Sequence, residues 1–293
     1  MPVWQGKSRG TPLGYGIFVA VIRKGGVIPA YILLRFVAIY YFLFSFGPSG
    51  HMLRYFRRLG FGRLRSLRML YRNYCLLGQT IIDRIVILSA MPNRFSFDFD
   101  GEEELRKMVA GGRGGLLISG HIGNWEIAGH LLQRLNARIH VVMYDGEDRQ
   151  IKEYLQSVTG EPLANMIIIR DSISHIYQIS EALKRGDLVC MHADRFVEGN
   201  KTLAGQLLND QARFPAGPFA LAQSLHVPVS FVFAMKESNL HYHFFASRSY
   251  EANQEDKEQQ MRYLLNLYTD ELERKIRQFP EQWYNYFDFW KAY

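Results

Sequence analysis

Residues Gly114–Leu132 read GGLLISGHIGNWEIAGHLL. Gly115-Leu-Leu-Ile-Ser119 is a short uncharged run flanked by glycine, the pattern of a strand covered on both faces in a parallel sheet. Gly120-His121 ends it. Beyond Gly123 the spacing of Trp125, Ile127, Ala128, Leu131, Leu132 and Leu135 predicts one buried helical face, with Gly123 or Asn124 as N-cap. His121 then lies in the strand-to-helix loop and Glu126 in the first helical turn, beside backbone N–H groups that favour negative charge. On one continuous helix the two side chains would stand roughly 140° apart. From the loop, however, the imidazole can meet a carboxylate folded back from the helix, a base held in one tautomer by an orienting acid. A histidine that merely satisfies a strand end fits the same placement. Ligands of open α/β sheets bind at the carboxyl ends of strands, where His121 is expected.

Working outward, apolar runs alternate with helical patterns. Strands are expected at Phe95–Phe99, Ala137–Tyr144, Met166–Arg170, Leu188–Ala193 and Val229–Met235, and helices at Glu102–Val109, Glu147–Val158, Ile173–Arg185 and Gly217–Leu225. That alternation predicts an α/β fold with a mostly parallel sheet flanked by helices. Leu240–Ser247 alternates in polarity and is expected to pair antiparallel. Met261, Leu264, Leu265, Tyr268, Leu272, Ile276 and Phe279 mark one stripe of a long helix over Gln254–Phe279, stopped by Pro280. A densely aromatic tail follows, EQWYNYFDFWKAY, for which packing, membrane contact and part of an acyl pocket all remain open.

The charge is unevenly spread. No Asp or Glu precedes Asp83, so the first 82 residues carry +12 and the remainder −5 within a formal net +7. Such a segment suits a polyanionic surface. Val27–Phe46 is about as long as a bilayer span, but Arg35 near its middle makes crossing costly, and basic residues flank both ends. An in-plane or re-entrant helix therefore fits better than a single crossing, a buried core helix being the other possibility. His51–Ile87 reads as one or two helices carrying Arg54, Arg57, Arg58, Arg63, Arg65, Arg68 and Arg72 among Leu, Phe and Tyr, pointing to a lipid surface. No groove-reading motif or aromatic platform points to nucleic acid. The division expected is residues 1–90 as a membrane-associating helical segment and 91–293 as the α/β domain. Cys75 and Cys190 are too few for a disulfide framework, and a reducing cytosol suits them. No ligand spacing suggests a metal, since His121, Glu126 and His130 do not form H-E-x-x-H.

His121-Ile-Gly-Asn-Trp-Glu126 resembles the His-x4-Glu block of the lysophospholipid-acyltransferase superfamily, and the form HxGNWE is similar to its lipid A late acyltransferase branch. Gly186–Arg195 resembles the second strand of that family, ending in the polar pair Asp194-Arg195. Phe214-Pro-Ala-Gly217 resembles its FPxG block, Val227–Phe231 a later PVVP-like strand, and Pro280–Tyr284 the closing PEQW segment. The branch usually continues with an arginine pair where this chain has Phe287–Lys291. The amino-terminal Trp4–Gly10 and the arginine-rich segment look like a bacterial subgroup of predicted acyltransferases, found with lipid and pigment pathways.

The resemblance implies a glycerolipid acyltransferase-like fold with N-terminal membrane-associating helices. It implies acyl transfer from an acyl carrier protein or coenzyme A thioester to a hydroxyl or amine of a membrane lipid or lipid A-like precursor. His121 would be the general base and Glu126 its orienter, with substrate contacts from Asn124, Trp125, Asp194, Arg195, Phe214 and Gly217. Backbone N–H groups at the helix start would face the oxyanion. Ala216 stands where the glycerolipid branch has Glu, which argues against a glycerol-3-phosphate acceptor. No cofactor is expected, and the place expected is the cytoplasmic face of a bacterial inner membrane, peripheral or single-pass. A thioester hydrolase and a non-catalytic lipid binder are the alternatives, the former weakened because no G-x-S-x-G elbow is present.

Overall fold

The strand quoted first lies at the centre of the sheet. The structure, a computed structural model, describes residues 11–89, 91–144, 165–169, 173–197, 199–251 and 256–291. It divides into two compact units. The expected helix at Glu147–Val158 and the stretch Trp4–Gly10 lie outside the described residues.

The first unit begins with four helices, α1 (Pro12–Gly25), α2 (Val27–Phe44), α3 (Phe46–Arg58) and α4 (Arg63–Leu88). Thr11 caps α1, its Oγ1 accepting the Gly14 N–H at 3.1 Å. Ala30, Tyr31, Leu34 and Ala38 form the buried face of α2, and Tyr31 and Leu34 join Ile22, Ile82 and Val86 in a core between α1, α2 and α4. Asp83, the first acid of the chain, is fully buried there and accepts the Tyr31 hydroxyl. On the other face Ile28, Ile32, Phe36, Tyr40, Leu43 and Phe44 are exposed, as is Leu13 of α1. Val27–Phe44 is long and apolar enough to cross a membrane by length and composition.

The same unit takes in Ile276–Asp288, which the division drawn at residue 90 leaves with the α/β part. Trp283 is fully buried with its ring 5.0 Å from that of Tyr55. Asn73 of α4 donates to the carbonyls of Glu281 and Trp283 at 2.9 and 3.1 Å and accepts the Tyr286 hydroxyl at 2.6 Å. The tail is thus largely packed, with two of its carbonyls satisfied by one buried amide.

In the second unit the strands are β1 (Ser96–Asp100), β2 (Gly115–Ser119), β3 (Ile139–Tyr144), β4 (Asn165–Ile169), β5 (Leu188–His192), β6 (Thr202–Leu207), β7 (Asp210–Pro215), β8 (Val229–Ser238) and β9 (His241–Ala246). Seven of them form a sheet in the order β1-β9-β8-β2-β5-β3-β4. β2 pairs in parallel with β5 and β8, and β3 with β4 and β5, while β9 returns antiparallel to β8. The helices are α5 (Glu102–Ala110), α6 (Trp125–Leu132), α7 (Ser174–Lys184), α8 (Gly217–Leu225) and α9 (Lys257–Gln278). The sequence-read fold class is therefore the observed one. On α9, Leu264, Leu265, Tyr268 and Leu272 of the expected stripe are fully buried.

One element was not expected. β6 and β7 form a separate antiparallel hairpin, turning at Leu208-Asn209 with φ of 53° and 66°. The Leu208 N–H donates to Glu273 of α9 at 2.6 Å, and Trp290 Nε1 donates to the Leu207 carbonyl at 3.0 Å.

Candidate active site

The register of β2 against β5 places Ser119 opposite His192. Two residues beyond each, the chains leaving these adjacent strands bring His121 and Asp194 together. The Ser119 carbonyl, last of β2, accepts the Ala193 N–H at 2.9 Å and the Tyr268 hydroxyl at 3.0 Å. Asp194 then grips His121 twice: Oδ2 accepts its backbone N–H at 2.8 Å and Oδ1 lies 2.7 Å from ring Nδ1. An ionised carboxylate can only accept, so Nδ1 carries the hydrogen and Nε2 is left as the basic nitrogen. Gly120 leaves room for this grip. A Cβ there would stand 3.0 Å from the Tyr268 hydroxyl and 3.1 Å from Asp194 Cγ.

The loop after His121 is tied down on β8. Gly123 has φ of 64°, and a Cβ on it would come within 2.1 Å of the Ala234 carbonyl oxygen. Only glycine fits both restrictions. That carbonyl accepts the Asn124 N–H at 2.8 Å, and the buried Asn124 side chain donates to the Tyr242 hydroxyl at 3.2 Å. The Gly-Asn of the motif therefore fixes the loop, and Trp125 opens α6. The Trp125 ring lies 5.1 Å from that of His121 and 5.7 Å from that of His192, while the two imidazoles are 4.4 Å apart and edge-on.

Burial lowers the pKa of His121, and the Arg195 charge lowers it further, against Asp194 and Glu126, which raise it. The balance favours the neutral imidazole. Burial acts to raise the Asp194 carboxyl, but His121, Arg195 and His192 outweigh it and hold the group well below the usual carboxylate range. His192 is pushed down to about 3, by burial first and then by His121 and Arg195, with Asp194 opposing. Burial pushes the Cys190 thiol up to about 12, so it supplies no thiolate nucleophile at neutral pH.

Of the site residues predicted from sequence, His121, Trp125 and Asp194 come together here, and Glu126 and Arg195 reach His121 through their charge. Glu126 stands exposed in the first turn of α6, and the carboxylate on Nδ1 is that of Asp194. Asn124 is used inside the loop. Phe214 is fully buried in β7, packed on Tyr268 and Phe289 with ring centroids 6.2 and 5.5 Å away. Gly217 opens α8, with no atom within 4 Å of where a Cβ would stand. His192 and Tyr268 were missed as parts of the site, although both fall in elements the sequence predicts. The available signal was strand register, since His192 ends the strand next to β2.

Asp194→Asn separates the charge of this contact from its shape. The amide keeps the size but loses the charge and can present N–H to Nδ1, favouring the wrong tautomer. A loss of roughly 10²-fold or more in kcat is expected. Because the carboxylate raises the His121 pKa, its removal moves the acid limb of the kcat–pH profile to lower pH. Steady-state rates across pH check both.

A family model described as bacterial lipid A biosynthesis acyltransferase matches residues 67–292. The chain belongs to this family. As a lipid A-type acyltransferase it is an enzyme of lipid biosynthesis that transfers an acyl group to a lipid. The match begins inside α4 and takes in the second unit and the Ile276–Asp288 segment. Among solved structures, it is similar to the 1-acyl-sn-glycerophosphate (LPA) acyltransferase PlsC from Thermotoga maritima, at 14% identity and a TM-score of 0.41, over 86% of this chain and 97% of that one. A search of curated proteins found no match.

Proposed function

We propose that this acyltransferase moves a fatty acyl group from a thioester of acyl carrier protein or coenzyme A to a hydroxyl, or an amine, of a membrane lipid or lipid A-like glycolipid precursor. The observation that carries this reading is the double grip of Asp194 on His121, which leaves Nε2 as a base at the carboxyl end of the sheet. Nε2 takes the acceptor's O–H proton as its oxygen attacks the thioester carbonyl. The tetrahedral intermediate collapses by breaking C–S, and the imidazolium returns the proton to the sulfur, giving ester and free thiol. Asp194 stabilises the imidazolium, and the Glu126 charge adds to it. The acceptor is itself the nucleophile, so neither an acyl-enzyme nor a cofactor is needed. Arg195, next to Asp194, suits a phosphate or carboxylate on the acceptor head.

Docking on the cytoplasmic face of an inner membrane completes the reading. The exposed side of α2, with Ile28, Ile32, Phe36 and Leu43, supplies apolar area for the acyl boundary, and the arginines of α3 and α4 supply charge for anionic headgroups. An in-plane helix suits this unit because the opposite side of α2 is packed on α4, whose length carries Arg63, Arg65, Arg68 and Arg72.

The test is incubation of purified enzyme with an acyl-carrier-protein thioester and liposomes of total bacterial lipid extract, followed by mass spectrometry. A lipid that gains one acyl mass as thiol is released is the expected result, and it names the acceptor. Thioester consumed only to free acid would replace transfer by hydrolysis.

A further inference from the structure

Transfer through a tetrahedral intermediate requires hydrogen-bond donors for the oxygen that gains charge, and two of the backbone amides near the base are already committed. The His121 N–H is held by Asp194 Oδ2 at 2.8 Å, and the Asn124 N–H by the Ala234 carbonyl at 2.8 Å. His192 is placed differently. It ends β5 directly opposite Ser119, with its ring 4.4 Å from that of His121 and 5.7 Å from that of Trp125. It is partly exposed, and its contacts with other described residues are these ring contacts, with no hydrogen bond from either nitrogen. A neutral imidazole always has one N–H to give.

Resting on the transfer reading above, we propose that His192 is a second catalytic residue, its ring N–H donating to the thioester carbonyl oxygen as that oxygen becomes an oxyanion. No proton changes owner at His192. The hydrogen bond strengthens as the carbonyl carbon becomes tetrahedral and relaxes when C–S breaks. Its low pKa suits the role, because the ring stays neutral when His121 becomes an imidazolium beside it. A neutral imidazole acting as electrophile next to a separate base is established chemistry for carbonyl activation. The substrate class follows: an acyl group presented with its carbonyl oxygen toward the end of β5 and the acceptor oxygen toward Nε2 of His121.

His192→Phe keeps an aromatic ring against His121 and Trp125 and removes the N–H. The expected result is a fall in kcat on the order of 10²-fold, with the KM for acyl thioester within threefold and an unchanged melting temperature. His192→Gln, which restores a donor, is expected to recover about tenfold over the phenylalanine variant. A kcat for His192→Phe within threefold of the parent overturns the proposal. So does a change confined to KM, or equal losses in both variants accompanied by a lowered melting temperature, which is the mark of a packing role. His121→Ala measured in parallel separates the two readings: transfer there at about a tenth of the parent rate or more refutes the base itself, whereas a nearly inactive His121→Ala beside a fully active His192→Phe refutes only the oxyanion donor.

Discussion

His121→Ala is expected to reduce kcat by about 10⁴-fold while the protein remains folded and still binds acyl thioester. The size follows from what is removed. On the proposed mechanism the acceptor hydroxyl, left with no base, must attack at its full pKa, and proton transfer by a positioned imidazole contributes up to about 10⁴-fold. The fold survives because the backbone N–H of residue 121 still holds Asp194 Oδ2, and the strand carbonyl at Ser119 keeps its two donors. Thioester turnover by a thiol assay, read with the acyl-lipid product by mass spectrometry, checks this. A variant retaining even a tenth of the parent rate would remove His121 from the chemistry.

Gly123→Ala is expected to be damaging although it adds a single methyl group. A left-handed backbone costs an L-residue about 1–2 kcal/mol. The new Cβ would also stand 2.1 Å from a backbone oxygen of β8, so the loop must lift and strain or lose the Asn124 N–H bond to Ala234. Together these come to roughly 3 kcal/mol. Moving His121 by about 1 Å adds a loss of about 10²-fold in kcat. Urea denaturation and steady-state kinetics report the two effects. Gly47→Ala in α3 is the control, since nothing lies within 4 Å of where its Cβ would stand, and there alanine is expected to be neutral or slightly stabilising.

What was legible in the sequence follows from how each element is buried. β2, β5 and β8 are covered on both faces, so they appear as unbroken apolar runs, and their observed bounds match the expected ones within a few residues. α8 begins and ends where its pattern does. The β6–β7 hairpin was illegible because Leu208-Asn209 takes positive φ without the Asn-Gly or Gly signal that usually marks such turns. Phe214-Pro215, recognisable in the sequence only through the FPxG block, closes β7. At the site, His121 and its loop could be located from local pattern alone. The Asp194 contact could not, because the partners are 73 residues apart and only the parallel register joins them. Nearness in sequence favoured Glu126 for the orienting role. Distance along the chain conceals such pairings, and the seat of the closing Trp283 beside Tyr55 was hidden in the same way.

That last pairing bears on how the protein is made. Asn73 and Trp283 are 210 residues apart, so on a translating ribosome α1–α4 emerge well before the segment that completes their packing. Throughout elongation the Tyr55 and Asn73 side of the helices waits unfilled, alongside an apolar α2. A nascent chain in that state is a ready client for chaperones or for the bilayer surface. The helical unit therefore starts to form long before its packing can be completed.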